Sequence, residues 1–155
     1  MPIFDDTLQD HHTITGTPYG FSATRIADLG ASEYTLVVIA ADVSGSVGAY
    51  QSAIEHCVKR IVGSCRHAPR VDNLMLRFVT FDTKLDEVHG FRALADCHPD
   101  AYTDTIRPGG CTALFDASIN AVESARLYGK KLSGAGLDVN LITFVITDGK
   151  DNASA

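Results

Sequence analysis

Residues 36–47 read LVVIAADVSGSV and predict the central strand of the fold together with the loop that follows it. The first part is a continuous apolar run without polar alternation, which is typical of a parallel strand covered on both faces. The run stops at Asp42, and Ser44 and Ser46 follow within four residues. A carboxylate and two hydroxyls directly after a buried strand need partners, because burying unpaired polar groups is costly.

Helical and extended patterns alternate along the rest of the chain. Apolar residues at helical spacing predict two helices, at 50–65 and 112–132. Apolar runs predict three more strands, at 74–81, 85–91 and 141–147, the first two forming an antiparallel hairpin. The order from the central strand onward is strand, helix, strand, strand, helix, strand. This order favours an α/β fold built on parallel crossovers.

Length and composition narrow the class of protein. The chain has 155 residues, of which 45% are hydrophobic and 21% charged, as expected of one globular domain. Its net charge of −6 argues against nucleic acid as a partner, because phosphate binding needs a basic face. The sequence shows neither a membrane-length apolar run nor a signal peptide pattern. The four cysteines lack metal-binding spacing, so we expect free thiols and a cytoplasmic location.

Polar clusters stand next to three of the predicted strands or helices. Asp42, Ser44 and Ser46 follow the central strand, Thr112 begins the second long helix, and Asp148 follows the last strand. Loops at the carboxyl ends of parallel strands lie on one edge of the sheet, where ligands bind. Carboxylate and hydroxyl oxygens suit Mg²⁺, which prefers a six-oxygen shell. Taken singly, each cluster can also be interpreted as a helix N-cap or a turn, and for Asp148 alone the turn is the better interpretation.

Three segments carry a resemblance to a known family. DVSGS (42–46), GGCTALFDA (109–117) and ITDG (146–149) resemble the three loops of a von Willebrand factor type A domain with its metal-ion-dependent adhesion site. The resemblance spans roughly residues 34–152. It implies a Rossmann-like, mostly parallel central sheet flanked by helices, with one antiparallel edge hairpin.

The resemblance also implies a role for each site residue. Ser44 and Ser46 resemble direct hydroxyl ligands, and Thr112 resembles the threonine that binds the metal directly or through water. Asp42 and Asp148 resemble carboxylates that hold metal-bound waters. The implied metal is Mg²⁺, with Mn²⁺ or Ca²⁺ as substitutes, and one coordination position is left for an Asp or Glu of a partner protein. The implied function is metal-dependent protein binding in adhesion or scaffolding, without catalysis.

The resemblance covers only the first part of the family fold. Residues 34–155 correspond to it, whereas 1–33 form an N-terminal arm or extension with one short strand near 21–26. The family's last two strands and their helices have no counterpart, which places 141–147 at a sheet edge. An apolar edge strand is a template for pairing. We therefore expect one of three arrangements. The chain is a fragment, it pairs this edge with a second copy in a homo-oligomer, or the N-terminal arm covers the edge.

Two other functions stay open. In a haloacid dehalogenase-like phosphatase, Asp42 would be the nucleophile, and Asp148 and Asp151 would hold Mg²⁺. Ser44 would then stand where a general acid is needed, and residues 109–117 would have no role. The third candidate is a structural assembly subunit that uses the fold and its exposed edge without a functional metal.

Overall fold

The computed structural model describes residues 9–14, 19–25, 29, 31–43, 51–68, 71–82, 84–103, 105 and 114–147. These residues form six strands, two α-helices and three short 3₁₀ helices. In chain order the strands and α-helices are β1 Gln9–Thr13, β2 Gly20–Thr24, β3 Glu33–Asp42, α1 Gln51–Arg66, β4 Leu74–Phe81, β5 Leu85–Ala93, α2 Leu114–Gly134 and β6 Asp138–Ile146.

All six strands belong to one mixed sheet in the order β1-β2-β5-β4-β3-β6. β3 lies between β4 and β6 and is parallel to both. The predicted sequence of strands and helices from β3 to β6 is confirmed, and the protein has an α/β fold.

Strand β3 is buried on both faces, as its continuous apolar run predicts. Alternate side chains point to opposite faces of a strand. Leu36, Val38 and Ala40 therefore pack into the core on the α2 side of the sheet. Val37, Ile39 and Ala41 pack into a second core on the α1 side.

Helix α1 shows one departure from the predicted apolar face. It buries Ile54, Val58 and Val62, which are spaced four residues apart. Cys57 and Cys65 belong to the apolar helical pattern of residues 50–65 but are only half-buried. They lie on the side of α1 that faces the edge strand β6, where the described structure adds no further strand to cover them.

The N-terminal residues join the sheet. The predicted short strand is β2, which pairs in parallel with β5 at Ala23 and Phe91. β4 and β5 pair antiparallel as predicted, but their placement as an edge hairpin is wrong because β2 covers β5. Strands β2 and β5 approach each other closely, because a Cβ atom at Gly90 would collide with the backbone of Ser22. β1 was not predicted, because QDHHT has no apolar alternation.

The last strand lies at an edge of the described sheet, as expected. β1 and β2 occupy the opposite edge, so the described part of the N-terminal segment does not cover β6. Among the helices that the structure describes, each is too short or too polar to span a membrane.

Candidate functional site

The carboxyl ends of three parallel strands meet at one edge of the sheet. Asp42 is the last residue of β3 and lies level with Phe81 at the end of β4. On the other side, Ala41 lies level with Ile146 at the end of β6. The N–H of Val43 donates to the carbonyl of Phe81 at 2.8 Å, which holds Val43 against β4. The sheet therefore brings the ends of β3 and β6 together.

Asp42 is a fully buried carboxylate at this edge. The Thr147 hydroxyl, one residue past β6, donates to Oδ2 of Asp42 at 2.8 Å. A buried carboxylate needs such donors, because it has lost its hydration. The predicted placement of Asp42 at the end of the central strand is confirmed. Thr147 was missed as a partner, although it stands inside the ITDG segment quoted for the site.

The other four predicted site residues lie outside the described residues. They are Ser44, Ser46, Thr112 and Asp148. Their roles stay predictions, as does the pairing of Asp42 with them. Within the part of the chain that the structure describes, no group of three or more His, Cys, Asp or Glu side chains is arranged to hold a metal ion.

The donors present at this edge fit a hard cation. Asp42 supplies a desolvated carboxylate, and Thr147 supplies a hydroxyl bonded to it. Such oxygen donors suit Mg²⁺, which is often bound by one or two carboxylates and keeps several waters. In the sequence, Asp148 is the residue next to Thr147, and Ser44 is two residues after Asp42. The chemistry of the described residues is therefore compatible with the predicted metal site.

A buried ion pair holds the β2 side of the sheet. The Arg77 side chain is inaccessible to solvent, and its Nε donates to Oε2 of Glu87 at 2.6 Å. Burial lowers the pKa of Arg77, and the carboxylate of Glu87 opposes that shift. Both Glu87 oxygens also accept from the N–H of Ser22, at 2.9 and 3.0 Å. Further acceptors for the guanidinium are Asn120 Oδ1 at 2.8 Å, Ser124 Oγ at 3.2 Å and the Gly20 carbonyl at 3.1 Å.

A second buried network connects β5 to the 3₁₀ helix Pro99–Tyr102. His89 Nδ1 donates to the Gly90 carbonyl at 2.9 Å, so Nε2 accepts from the Tyr102 hydroxyl at 2.7 Å. Burial lowers the pKa of His89 to about 3, and the imidazole is neutral at physiological pH. Burial also raises the pKa of Cys97, which contacts Tyr102, to about 11. Both networks connect separate elements inside the fold, and sequence patterns gave no signal for either of them.

No known family model matches the sequence, and no curated protein sequence is significantly similar to it. Similarity appears in the fold. The PilB minor pilin from Streptococcus sanguinis superposes with a TM-score of 0.51 at 15% identity, covering 68% of this chain and 29% of that one. Its D319A mutant gives the same score and identity over 67% and 29%. The vWF domain of the type V pili tip protein Mfa5 from Porphyromonas gingivalis gives a TM-score of 0.48 at 14% identity, over 72% and 37%.

The similarity to PilB shows a shared fold over part of each chain. This chain spans less than a third of the PilB structure. The shared part includes about two thirds of the present residues.

Proposed function

We propose that this chain is a von Willebrand factor type A-like domain that binds a divalent metal and uses it to recognise an acidic residue of a partner protein. The observation that carries the proposal is the state of Asp42. This carboxylate is fully buried at the carboxyl end of the central strand and bonded to a hydroxyl from the end of β6. In α/β sheets, the carboxyl ends of the strands are where ligands bind.

The fold similarity supports the choice of a binding domain. PilB is described as a minor pilin, and a pilus is a protein assembly. At 15% identity the likeness supports the architecture, and partner binding is proposed from that architecture together with Asp42. The Rossmann-like arrangement and the adhesion-type site belong to the same proposal.

Each proposed ligand has a distinct task. Ser44 and Ser46 provide neutral hydroxyls to the metal, and Thr112 provides a third. Asp42 and Asp148 hold metal-bound waters and orient the serine hydroxyls. With so few anionic ligands, Mg²⁺ keeps affinity for an external carboxylate. Mn²⁺ and Ca²⁺ are the proposed substitutes.

The residues that follow Asp42 in the sequence favour binding over catalysis. In the phosphatase alternative Asp42 would attack a phosphoryl group, yet Ser44 would stand at the position of the general acid and residues 109–117 would have no role. A serine hydroxyl is a poor general acid at neutral pH. We therefore propose a non-enzymatic role. A cytoplasmic location remains a prediction from the cysteine content.

Titration calorimetry of Mn²⁺ and Mg²⁺ against the wild-type chain tests the proposal. We expect binding near one metal per chain. Asp42→Ala and Asp42→Asn should both abolish it, and Asp42→Asn keeps an oxygen acceptor for Thr147, so its fold should be retained. Asp86→Ala is the matched control, because it removes an exposed carboxylate from the beginning of β5 and should leave affinity unchanged.

Two results would overturn the proposal. Unchanged metal affinity in both Asp42 variants would show that the metal binds elsewhere. Hydrolysis of p-nitrophenyl phosphate that depends on Mg²⁺ and disappears in Asp42→Asn would replace it with the phosphatase alternative. A second measurement, binding of an Asp-containing peptide with and without EDTA, separates metal binding from partner recognition.

A further inference from the structure

The side of the domain formed by β6 exposes apolar side chains from the sheet and from α2. We call this surface the β6 flank. In most soluble proteins large apolar side chains are exposed singly, whereas a contiguous patch marks an interaction site. The members of the flank and their exposed fractions are Phe115 62%, Val122 52%, Leu141 47%, Ile142 44%, Phe144 36% and Val145 36%.

On one face of the sheet, α2 packs on β6 and adds exposed apolar side chains beside this strand. A Cβ at Gly129 would lie 3.2 Å from Leu141 and 3.3 Å from Val139, so this line of α2 packs directly on β6. Val122 and Phe115 precede Gly129 by seven and fourteen residues, which places them on the same line of the helix. They therefore overhang β6 on its outer side.

On the other face, α1 and β6 border an open groove of about 450 Å³. Phe144 forms one wall, and the half-buried side of α1, with Cys57, Ile61 and Cys65, forms the other. Ile142 lies on the same face of β6 as Phe144, since residues two apart share a face. Both faces of the sheet thus reach the β6 edge as apolar surfaces.

The backbone of β6 is also directed outward at alternate residues. The N–H of Asp138 donates to the Ser32 carbonyl at 2.9 Å, just before β3 begins. In a parallel ladder a residue directs its N–H and C=O to one side, and the next residue directs them to the other. Even-numbered residues of β6 therefore bond to β3. The outward set is Val139, Leu141, Thr143 and Val145.

A strand that completes this edge needs apolar side chains on both of its faces. β6 itself has this property, as DVNLITFVI carries large apolar residues at both parities. It is nine residues long, its one charge is Asp138, and it has no lysine or proline to oppose pairing. The strand is therefore complementary to a second copy of itself.

We propose that the β6 flank pairs two copies of this chain, with β6 antiparallel to β6 about a two-fold axis beside Ile142. Val139 then faces Val145 of the partner subunit, and Leu141 faces Thr143 of the partner subunit. This is the register in which all four outward residues pair within the strand, giving about eight backbone hydrogen bonds. The inference is independent of the proposed metal site.

The register also suits the side chains. Asp138 lies opposite Ile146 of the partner subunit, so the two carboxylates are at opposite ends of the junction. Ile142 meets Ile142 of the partner subunit in a non-hydrogen-bonded pair, where side chains approach most closely. The exposed side chains of the flank offer on the order of 500 Å² per copy, against about 800 Å² per partner in a standard interface. Backbone pairing adds to this area.

A charge exchange at the axis tests the pairing. We expect the wild type in EDTA to sediment as a dimer at micromolar concentration. Ile142→Lys and Ile142→Glu should each be monomeric, because like charges then meet at the axis. A one-to-one mixture should recover the dimer. Asp86→Lys is the control: Asp86 is exposed on β5, which lies three positions from β6 in the sheet, and the variant should still dimerise.

Cross-linking tests the register. Under mild oxidation Ile142→Cys should form a disulfide-linked dimer, since the facing Cα atoms are about 4.5 Å apart. Thr143→Cys should cross-link at least tenfold more slowly, because its two copies are diagonal neighbours. Equal rates would overturn the proposed register.

Other outcomes would overturn the pairing itself. A wild type that is monomeric at every concentration would exclude it. A mixture of the two charged variants that stays monomeric would show that β6 does not meet β6 across a two-fold axis. A dimer that forms only with Mg²⁺ and is lost in Asp42→Asn would place the contact at the metal site. That last result would leave the proposed function standing.

Discussion

At one edge of the sheet, β1 is five residues long and reads QDHHT; at the other, β6 is nine residues long and reads DVNLITFVI. The β1 edge carries Asp10 and two histidines, polar groups of the kind that discourage pairing. Its neighbour β2 is held to the core by the Arg77–Glu87 ion pair. Edge β6 has neither protection.

The two sides of the domain therefore differ in what stabilises them. On the β5 side, buried polar networks connect strands, α2 and a 3₁₀ helix, so hydrogen bonds specify the arrangement. On the β6 side, the sheet carries half-exposed apolar residues, and the Asp42–Thr147 hydrogen bond lies at the strand ends. Among the described residues, the β5 side is therefore held by buried polar pairs, whereas β6 exposes apolar side chains of the kind that mark an interaction site.

Among the tests of this difference, removing Glu87 should lower the free energy of unfolding most. Glu87→Ala leaves the inaccessible guanidinium of Arg77 without its anion and the N–H of Ser22 without its acceptor. Breaking a buried pair in this way costs about 3 kcal/mol or more. Urea unfolding monitored by circular dichroism measures the loss. Asp86→Ala, at the exposed neighbouring position, should change stability by under about 0.5 kcal/mol. Equal effects would show that the ion pair does not hold the β2 side.

Acidification should cause the second-largest loss of stability, through His89 on the β5 side. His89 has a folded pKa of about 3, below its ordinary value of 6.5. The unfolded chain therefore binds the extra proton first, and this contribution to stability, complete above pH 6.5, is lost as the pH falls toward 3. The expected loss between pH 6.5 and 4.5 is about 2 kcal/mol. Urea midpoints across this range, compared with those of His89→Gln, isolate the histidine. Parallel curves for the two proteins would contradict the prediction.

The smallest expected difference in stability comes from the same Val→Thr substitution at a buried position of the sheet and on β6. Val79→Thr places a hydroxyl in the fully buried part of β4 and should cost roughly 1 kcal/mol or more. Val145→Thr changes a side chain that is 36% exposed on β6 and should cost under about 0.5 kcal/mol. Both are measured by urea unfolding at low protein concentration, where β6 is unpaired. A larger cost at Val145 would mean that the β6 flank is already covered within one chain.

Apolar periodicity was sufficient to predict the elements from β3 to β6. The run at 35–41 is extended and buried on both faces because each of its side chains is apolar or small. Periodicity could not predict β1, whose residues are polar, nor the position of β5 inside the sheet. That position depends on backbone pairing with β2 and on the absence of a side chain at Gly90, neither of which leaves an apolar pattern.

The candidate site was predictable to a smaller extent. Asp42 attracted attention because a carboxylate directly after a buried strand is unusual, and the structure places it at the end of β3; its role at a metal site stays a prediction. Thr147 became a partner only through the parallel pairing of β3 and β6, which brings together residues far apart in the sequence. Arg77 and His89 were invisible because a buried polar residue inside an apolar strand resembles an alternating surface residue.

The common direction of β3, β4 and β6 gives the molecule a front and a back. Asp42 stands at the front. In the proposed pair the two-fold axis reverses one copy, so the two fronts point away from each other, about 30 Å apart along the strands. Such a pair would act as a bivalent bridge: it would join two targets that approach from opposite sides, and it would gain little avidity from two acidic residues on one small target.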